Sequence, residues 1–421
     1  MKKNSGAKPI DLRRQNYQTI IQLFRDNSCL TVRDIMEVVS LSKTAITNIL
    51  NNLIKMDIVH SVGKGLSTNQ GGKKPELYSL NPDYRYVITI FFSHEYCLCQ
   101  LFNINYEVIA ESIKYPSSLD GYSYSDIISL VANLILSIMK KENIIEEQLC
   151  GIVFHCAGIV LNKEGILSRP ILSPHWDNNL HVIEDLRSIL PFSIPFYLDN
   201  TSRYHGYYEL LTHPERRSQN IITIYCENSV GGSQIRMGHL IHGLTGLVGE
   251  YGHITTDYSF TERCNCGNYG CFETSVSQEH VIHHICRDLK IHSLSSLNGK
   301  KLSTITMDDI FQAANQGDKI AQKHLDFIIQ QFSVLIYNMQ ITYDPDEIII
   351  QGVYSNSKGY FQDNLRQTIR HLSLHSIQSN MKLTFSPTYN SISYKYNINY
   401  AMKGAALFCF DEYFKQLDFF I

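Results

Sequence analysis

The chain has 421 residues, of which 44% are hydrophobic and 18% charged, with a formal net charge of −3. This composition is typical of a globular protein of two or three domains. The sequence has neither a charge-flanked apolar leader nor a run of eighteen apolar residues, which argues against a signal peptide and a membrane span. Eleven cysteines scattered over so long a chain favour a reducing cytoplasm over a disulfide-bonded secreted protein.

Positive charge is concentrated at the N-terminus. The first 80 residues contain twelve Lys or Arg and six Asp or Glu, whereas the remainder contains 25 and 34. A polyanionic partner for the N-terminal part would explain this asymmetry. A solvated basic terminus would have the same charge, so charge alone does not decide between them.

Three short helices are predicted in this basic segment. Apolar residues recur at helical spacing from Gln15 to Asp26. Thr31 is a good N-cap for a second helix, and Asp34 completes a capping box. Ser42 is the N-cap of a third helix, over roughly residues 43–56.

The third helix has a polar face suited to the DNA major groove. It presents short polar or basic side chains, namely Lys43, Thr44, Thr47, Asn48 and Asn51. Such side chains hydrogen-bond base edges and phosphates without blocking close approach. The helix lengths and the short second turn fit helix-turn-helix geometry. The alternative is the solvated face of a plain helical hairpin.

A wing is predicted after the third helix. Residues 58–65 and 71–75 are rich in glycine, which lets the backbone approach phosphates, and Lys64, Lys73 and Lys74 supply positive charge. We therefore predict that residues 1–80 form a winged helix-turn-helix domain that binds double-stranded DNA.

The remainder of the chain has an α/β pattern. After Asn81-Pro82, strand-like runs cover Tyr86–Phe92 and Tyr96–Phe102, followed by a helical stretch near residues 124–141 and a buried-strand pattern at Gly151–Gly158. Strands that alternate with helices predict an α/β body.

A metal site is predicted between Glu250 and Glu273. One imidazole and three thiolates lie within twenty residues, namely His253, Cys264, Cys266 and Cys271. Zinc prefers this mixture of sulfur and nitrogen, and four protein ligands leave no open position for catalysis, so one structural Zn²⁺ per chain is expected. The alternative is three buried structural cysteines beside an unrelated histidine.

This stretch resembles the signature of the ROK family (repressors, open reading frames and sugar kinases). The matching positions are Glu250-Tyr-Gly-His253 and Cys264-Asn-Cys-Gly-Asn-Tyr-Gly-Cys271-Phe-Glu273. Gly71-Gly-Lys-Lys-Pro75 is similar to the end of the wing in ROK repressors, and the family's sugar kinases lack this domain. Within the family, the chain is most similar to the repressor branch of the N-acetylglucosamine and xylose type.

The resemblance implies a fold of the α/β class. An N-terminal winged helix-turn-helix would be followed by a two-lobed actin-like ATPase (ribonuclease H-like) body. The implied units are residues 1–80, a first lobe over 81–205, and a second lobe over 206–421. The second lobe would contain the zinc site, and its C-terminal helix would return to the first lobe.

The chain departs from the family's kinases at the positions that handle ATP. Phe91 and Ser93 stand where the kinases have the Asp and Gly of Asp-x-Gly-x-Thr, and Thr201 stands where they have the catalytic Asp. Phe coordinates no cation, and Thr is no base at neutral pH. Two further glycine turns, at Glu227–Gly232 and Gln351–Val353, are also eroded. These departures predict that the chain is not an enzyme.

The positions that bind sugar in the family are better kept. By resemblance they are Gly158, Asn200, Glu250, His253 and Glu273. One ring nitrogen of His253 would bind zinc while the other faces the sugar. Alternatively, Glu250 and Glu273 only support the zinc loop. Trp176 either lies in a loop over the sugar cleft or is a packing residue.

The combined prediction is a sugar-responsive transcriptional repressor of carbohydrate metabolism in the cytoplasm. It would bind an operator as a homodimer or homotetramer, with a sugar or amino sugar as effector. Two alternatives remain: a ROK sugar kinase with an added DNA-binding domain, and a regulator triggered by a protein partner.

Overall fold

A computed structural model of the protein describes residues 9–65, 74–117, 121–171, 173–259, 262–291, 294–372, 380–387 and 394–419. The chain begins with three helices and a hairpin, which we call the head: α1 (Pro9–Asp26), α2 (Val32–Val38), α3 (Lys43–Lys55), β1 (Val59–Lys64) and β2 (Glu76–Leu80). Among the described helices, none is long and apolar enough to cross a membrane.

The helices of the head begin where the sequence predicts. The Thr31 hydroxyl accepts a hydrogen bond from the Asp34 amide, and the Asp34 carboxylate accepts one from the Thr31 amide, so the capping box forms. Ser42 caps α3 by accepting from the Ala45 amide. Buried apolar residues of α3, including Ile46 and Leu50, belong to the same apolar cluster as residues of α1, and the polar face lies outside.

The first lobe follows the head. Its elements are β3 (Tyr86–Phe92), β4 (Cys97–Asn103), β5 (Val108–Lys114), α4 (Tyr124–Glu142), β6 (Leu149–Cys156), β7 (Gly158–Leu161), β8 (Ile166–Pro170), α5 (Val182–Ile189) and β9 (Phe196–Asn200). Both faces of β3 and β6 are buried, as expected for the centre of a covered sheet.

The second lobe contains the remaining elements. These are α6 (Thr201–Tyr207), α7 (Glu209–Thr212), β10 (Asn220–Cys226), β11 (Val230–Arg236), β12 (His239–Leu240), α8 (Phe272–Val276), α9 (Gln278–Leu289), α10 (Met307–Asn315), α11 (Lys319–Tyr343), β13 (Glu347–Gly352), α12 (Tyr360–Leu372), β14 (Lys382–Phe385) and α13 (Tyr394–Gln416). The division of the body at residue 205 stays a prediction; that residue lies within α6.

The two lobes repeat one sheet topology. The first sheet has the order β5-β4-β3-β6-β9 and the second the order β12-β11-β10-β13-β14. In each, the first three strands in sequence form an antiparallel meander, and the last two add in parallel beside the first. This duplicated order is that of the actin-like, ribonuclease H-like body.

Helix α13 packs against the first lobe and against the head. It covers β3, β6 and α6. The ring of Tyr17 in α1 stacks on that of Phe419, just after α13, with centroids 5.0 Å apart. One continuous apolar core therefore includes the head, α13 and the inner face of the first sheet.

Candidate functional site

His253, Cys264, Cys266 and Cys271 form one cluster in the second lobe. Their ligand atoms all lie within 4.8 Å of one another. Cys264 Sγ is 3.6 Å from His253 Nδ1, and Cys266 Sγ is 3.6 Å from Cys271 Sγ. Tetrahedral zinc with ordinary bond lengths separates its ligands by roughly 3.5–3.8 Å, so the donor set and its spacing fit a four-coordinate metal.

Tight turns bring these four residues together. Gly267 and Gly270 have φ values of +99° and +71°, which residues with a side chain rarely adopt. A Cβ atom at Gly270 would also lie 2.0 Å from the carbonyl oxygen of Asp257. Only glycine therefore allows the chain to reverse between Cys266 and Cys271.

A cleft beside the cluster gathers the five predicted sugar-binding residues. Its lining residues come from the segment just after β6, the start of α6, the end of β10 with the turn that follows it, and the segment that contains Glu250, His253 and Glu273. Gly158, Asn200, Glu250, His253 and Glu273 all border it. Since His253 Nδ1 faces Cys264, the same imidazole belongs to the metal cluster and to the cleft wall.

The side chain of Asn200 is largely occupied by internal hydrogen bonds. Its Nδ2 donates to the carbonyl oxygen of Gly158 at 2.6 Å. Its Oδ1 accepts from the amide and the hydroxyl of Ser202, both at 2.8 Å, and caps α6. Asn200 therefore ties the two lobes' elements together at the cleft and retains one N–H for a ligand.

Glu250 and Glu273 have different surroundings. Glu273 Oε2 accepts the amide of Val230 at 2.8 Å, which fixes its position in the cleft. Glu250 lies 3.5 Å from Arg203, measured from Oε1 to Nη2. Burial raises the pKa of Glu250 to about 7, although Arg203 opposes the shift.

Asp199 is held in the interior by contacts with Arg203 and His242. It is paired with Arg203 in a fully buried ion pair, and His242 Nε2 lies 2.6 Å from its Oδ2. Burial raises the pKa of this carboxyl, but Arg203 and His242 outweigh it and hold the pKa below the ordinary value. Asp199 does not border the cleft.

Phe91 and Thr201, the two positions at which the resemblance predicts the loss of a kinase Asp, lie close to His155. The Phe91 ring is fully buried in β3 and lies 5.7 Å from the ring of His155, between centroids. The Thr201 hydroxyl borders the cleft and lies 3.2 Å from His155 Nδ1. Burial lowers the pKa of His155 to about 3, which keeps its ring neutral.

Several cleft residues were not predicted from the sequence as ligand contacts. His205, Tyr225 and Glu227 border the cleft. The Tyr225 hydroxyl donates to Glu227 at 2.8 Å, and Asn397 Nδ2 of α13 donates to the same carboxylate at 3.1 Å. Of these three residues, only Glu227 had a sequence signal, as the first residue of the eroded glycine turn Glu227–Gly232. Trp176 is a packing residue of the first lobe, stacked on Phe92.

The predicted DNA-binding face of α3 is largely open to solvent. Lys43, Thr44, Asn48 and Asn51 are exposed. Thr47 is half-buried, and its hydroxyl donates to the carbonyl oxygen of Lys43 at 2.9 Å. It therefore has less freedom than the others to contact a base.

The wing contributes two exposed lysines within the described residues. Lys64 ends β1 and Lys74 precedes β2. The hairpin pairs Val59 with Leu80 and Lys64 with Glu76. Lys73 lies outside the described residues.

Comparison with known proteins matches both parts of the chain. A model described as "ROK family" matches residues 112–401, and one described as "Winged helix-turn-helix DNA-binding" matches residues 18–60. The xylose repressor of Caldicellulosiruptor bescii is 26% identical over 380 residues, covering 89% of this chain and 92% of that protein.

Two further proteins are similar over most of the chain. The DNA-binding transcriptional repressor Mlc of Escherichia coli is 23% identical over 357 residues, covering 82% of this chain and 84% of that protein. A crystal structure of a ROK family transcriptional regulator, described as a homologue of that protein, aligns with a TM-score of 0.72 and 20% identity, covering 96% of this chain and 99% of the other.

Proposed function

Since the chain belongs to the ROK family, we propose that it is a sugar-responsive, DNA-binding transcriptional repressor of carbohydrate metabolism. One observation supports this proposal most directly. The same chain contains a winged helix-turn-helix head and a cleft bordered by the five predicted sugar-binding residues. Such a repressor acts where its operator is, in the cytoplasm.

The exposed polar face of α3 supports its role as the recognition helix. Asn48 and Asn51 offer the amide groups that read adenine, and Lys43, Lys64 and Lys74 offer charge to phosphates. We propose a homodimer or homotetramer, because paired recognition helices read half-sites about 10 bp apart or a multiple of that.

The proposed effector site is the cleft, with Zn²⁺ as its structural support. The His253/Cys264/Cys266/Cys271 cluster would hold one ion, which fixes the orientation of the His253 ring against the cleft. Carboxylate and amide groups then present acceptors and donors to neighbouring hydroxyls. D-Xylose is the first candidate effector, because several of the similar proteins are named xylose repressors.

The body would bind sugar without phosphorylating it. Phe91 leaves no carboxylate where a kinase holds its cation, and Thr201 leaves no base beside the sugar. His155 does not replace the base, because its ring is fully buried and its two nitrogens face Thr201 and Met402.

Helix α13 offers a physical connection between cleft and head. Near its start, Asn397 and Ile398 are cleft-side residues. Near its end, Asp411 and Phe414 contact α1, and Phe419 accepts a hydrogen bond of 2.8 Å from Asn52 of α3. We propose that the protein has two conformations that differ in the position of the head. The sugar would bind one conformation more tightly and so shift the equilibrium towards it.

Fluorescence anisotropy tests the proposal. Labelled DNA from upstream of the chain's own gene is titrated with the full-length protein, alone and with saturating D-xylose, D-glucose or N-acetyl-D-glucosamine. We expect specific binding whose affinity changes with one of these sugars. If none changes it, the chain is a DNA binder that does not respond to these sugars. ATP turnover clearly above the sugar-free background in a coupled assay would favour the kinase alternative instead.

A further inference from the structure

His205 of α6 is a buried cleft residue whose ring nitrogens have no partner. Its side chain borders the cleft and is 1% exposed. Within the described part of the chain, neither Nδ1 nor Nε2 has a hydrogen-bond partner. The ring stacks on Tyr225, with centroids 4.2 Å apart and planes 19° from parallel. Stacking uses the ring faces, so both in-plane nitrogens keep their bonding capacity.

An imidazole in this state needs a partner that the described residues do not supply. Burial lowers the pKa of His205 to about 3, so the ring is neutral and has one N–H donor and one acceptor nitrogen. Buried polar groups in native proteins almost always meet a partner, and an unpaired one loses its hydration without replacement. A hydroxyl can serve either nitrogen, because it both donates and accepts.

The charge of the cleft wall restricts what such a partner can be. Glu227, Glu250 and Glu273 contribute carboxylates, and the described lining residues include no Lys or Arg. Arg203, the cation nearest to Glu250, is already paired with Asp199 and bonded to backbone carbonyls of the segment before Glu250. A phosphate group would therefore meet carboxyl groups and no uncommitted Lys or Arg among the described lining residues, whereas an uncharged polyol would meet donors and acceptors.

We infer that His205 hydrogen-bonds a hydroxyl group of an uncharged sugar in the cleft and that this cleft rejects sugar phosphates. The inference rests on the proposed function. It adds two statements to that function: His205 determines ligand affinity, and the ligand is uncharged.

Two substitutions at the same position separate binding from folding. His205→Phe keeps an aromatic ring against Tyr225 and removes both nitrogens, whereas His205→Gln keeps a donor and an acceptor. Because His205→Phe removes two unpaired buried nitrogens, its thermal unfolding midpoint should equal or exceed that of the wild type. Circular dichroism follows this midpoint for all three proteins.

Isothermal titration calorimetry of the full-length chain measures the binding. The probes are D-xylose, D-glucose, N-acetyl-D-glucosamine, glucose 6-phosphate and N-acetylglucosamine 6-phosphate. We expect the wild type to bind at least one uncharged sugar and neither phosphate. His205→Phe should weaken that binding by about tenfold or more, as expected for one to two lost hydrogen bonds, and His205→Gln should recover part of it.

Each contrary result overturns a different statement. Equal sugar affinity in the wild type and a folded His205→Phe variant would show that the His205 nitrogens do not contact the sugar, so that the ring only packs in the cleft wall or binds water. Tighter binding of a sugar phosphate would overturn the charge class alone. A wild type that binds DNA but none of the five probes would overturn the inference together with the proposed sugar response.

Discussion

Arg25 of α1 is paired with Asp411 of α13, so a buried ion pair joins the head to the body. The two side chains are 3% and 7% exposed. The other oxygen of Asp411 lies 3.1 Å from Arg217 Nη1 and accepts from the Tyr207 hydroxyl at 2.5 Å. One carboxylate thus contacts the head, α6 and the turn that precedes β10.

The substitution Asp411→Asn should destabilise the protein and weaken the coupling between sugar and DNA. Removing one partner of a buried pair leaves Arg25 and Arg217 without their counter-charge, which costs roughly 3–5 kcal/mol of the free energy of unfolding. Urea denaturation measures this loss. Anisotropy should also show a smaller change in DNA affinity on adding sugar.

Glu412→Gln is the matched control for this prediction. Glu412 is the next residue of α13, and among the described residues its ion pair is with the partly exposed Lys415, so its loss should cost less than about 1 kcal/mol. Equal effects of the two substitutions would contradict a special role for Asp411.

Stability should fall on mild acidification because two buried histidines resist protonation. Burial lowers the pKa of His155 and of His205 to about 3, whereas both titrate near 6.5 in the unfolded chain. The unfolded state therefore binds more protons between these values, and stability drops as pH falls from about 6.5 towards 3. Each histidine contributes a slope of roughly 1.4 kcal/mol per pH unit.

Urea denaturation at pH 7 and pH 5.5 checks this dependence. His205→Phe should remove one histidine's contribution to the slope of the unfolding free energy against pH. Because both proteins contain the Cys/His cluster, its own acid sensitivity cancels when the two slopes are subtracted. The same slope in both proteins would show that His205 titrates normally.

Cys264→Ser and Cys266→Ser should each abolish binding of the proposed zinc ion and lower the unfolding temperature. Metal affinity is part of the folding free energy when the ligands are not preassembled in the unfolded chain. Elemental analysis after gel filtration gives the metal content, and Cys29→Ser, which changes an exposed cysteine outside the cluster, is the control. Full stability of a metal-free wild type would contradict a structural role.

Asn48→Ala and Lys74→Ala should weaken DNA binding in different ways. If Asn48 contacts a base, its loss should cost roughly 1–3 kcal/mol on the operator and almost nothing on unrelated DNA. If Lys74 contacts a phosphate, its loss should weaken both and reduce the slope of log affinity against log salt by about one. Anisotropy at several salt concentrations separates the two patterns, and identical patterns would contradict the assignment.

Local features were predictable from the residues themselves, whereas contacts between distant residues were predictable only where the family resemblance indicated them. The capping box of Thr31 and Asp34 and the turns at Gly267 and Gly270 depend on neighbouring residues, and the structure has them where the sequence places them. The pairing of Arg25 with Asp411 joins residues 386 positions apart, and no local pattern indicates it.

The residues of the cleft were likewise only partly predictable from the sequence. The family motif supplied Glu250, His253 and Glu273 because they lie close together in the chain. His205 belongs to a fully buried helix and looks like a packing residue in sequence; its cleft position depends on how α6 meets β10 and β11. Asn200 was predicted as a ligand contact, but its role as an N-cap becomes visible only in the structure.

Helix α13 also has a genetic consequence. Asn397 and Asp411 are fourteen positions apart, or about 21 Å of helix. Most residues between them are buried, including Ala405 and Cys409, and the helix packs on β3, β6 and α6. A selection for constitutive or non-inducible expression should therefore recover substitutions along this buried stretch, in positions that touch neither operator nor sugar. Such alleles would alter the balance between the two states while leaving each binding surface intact.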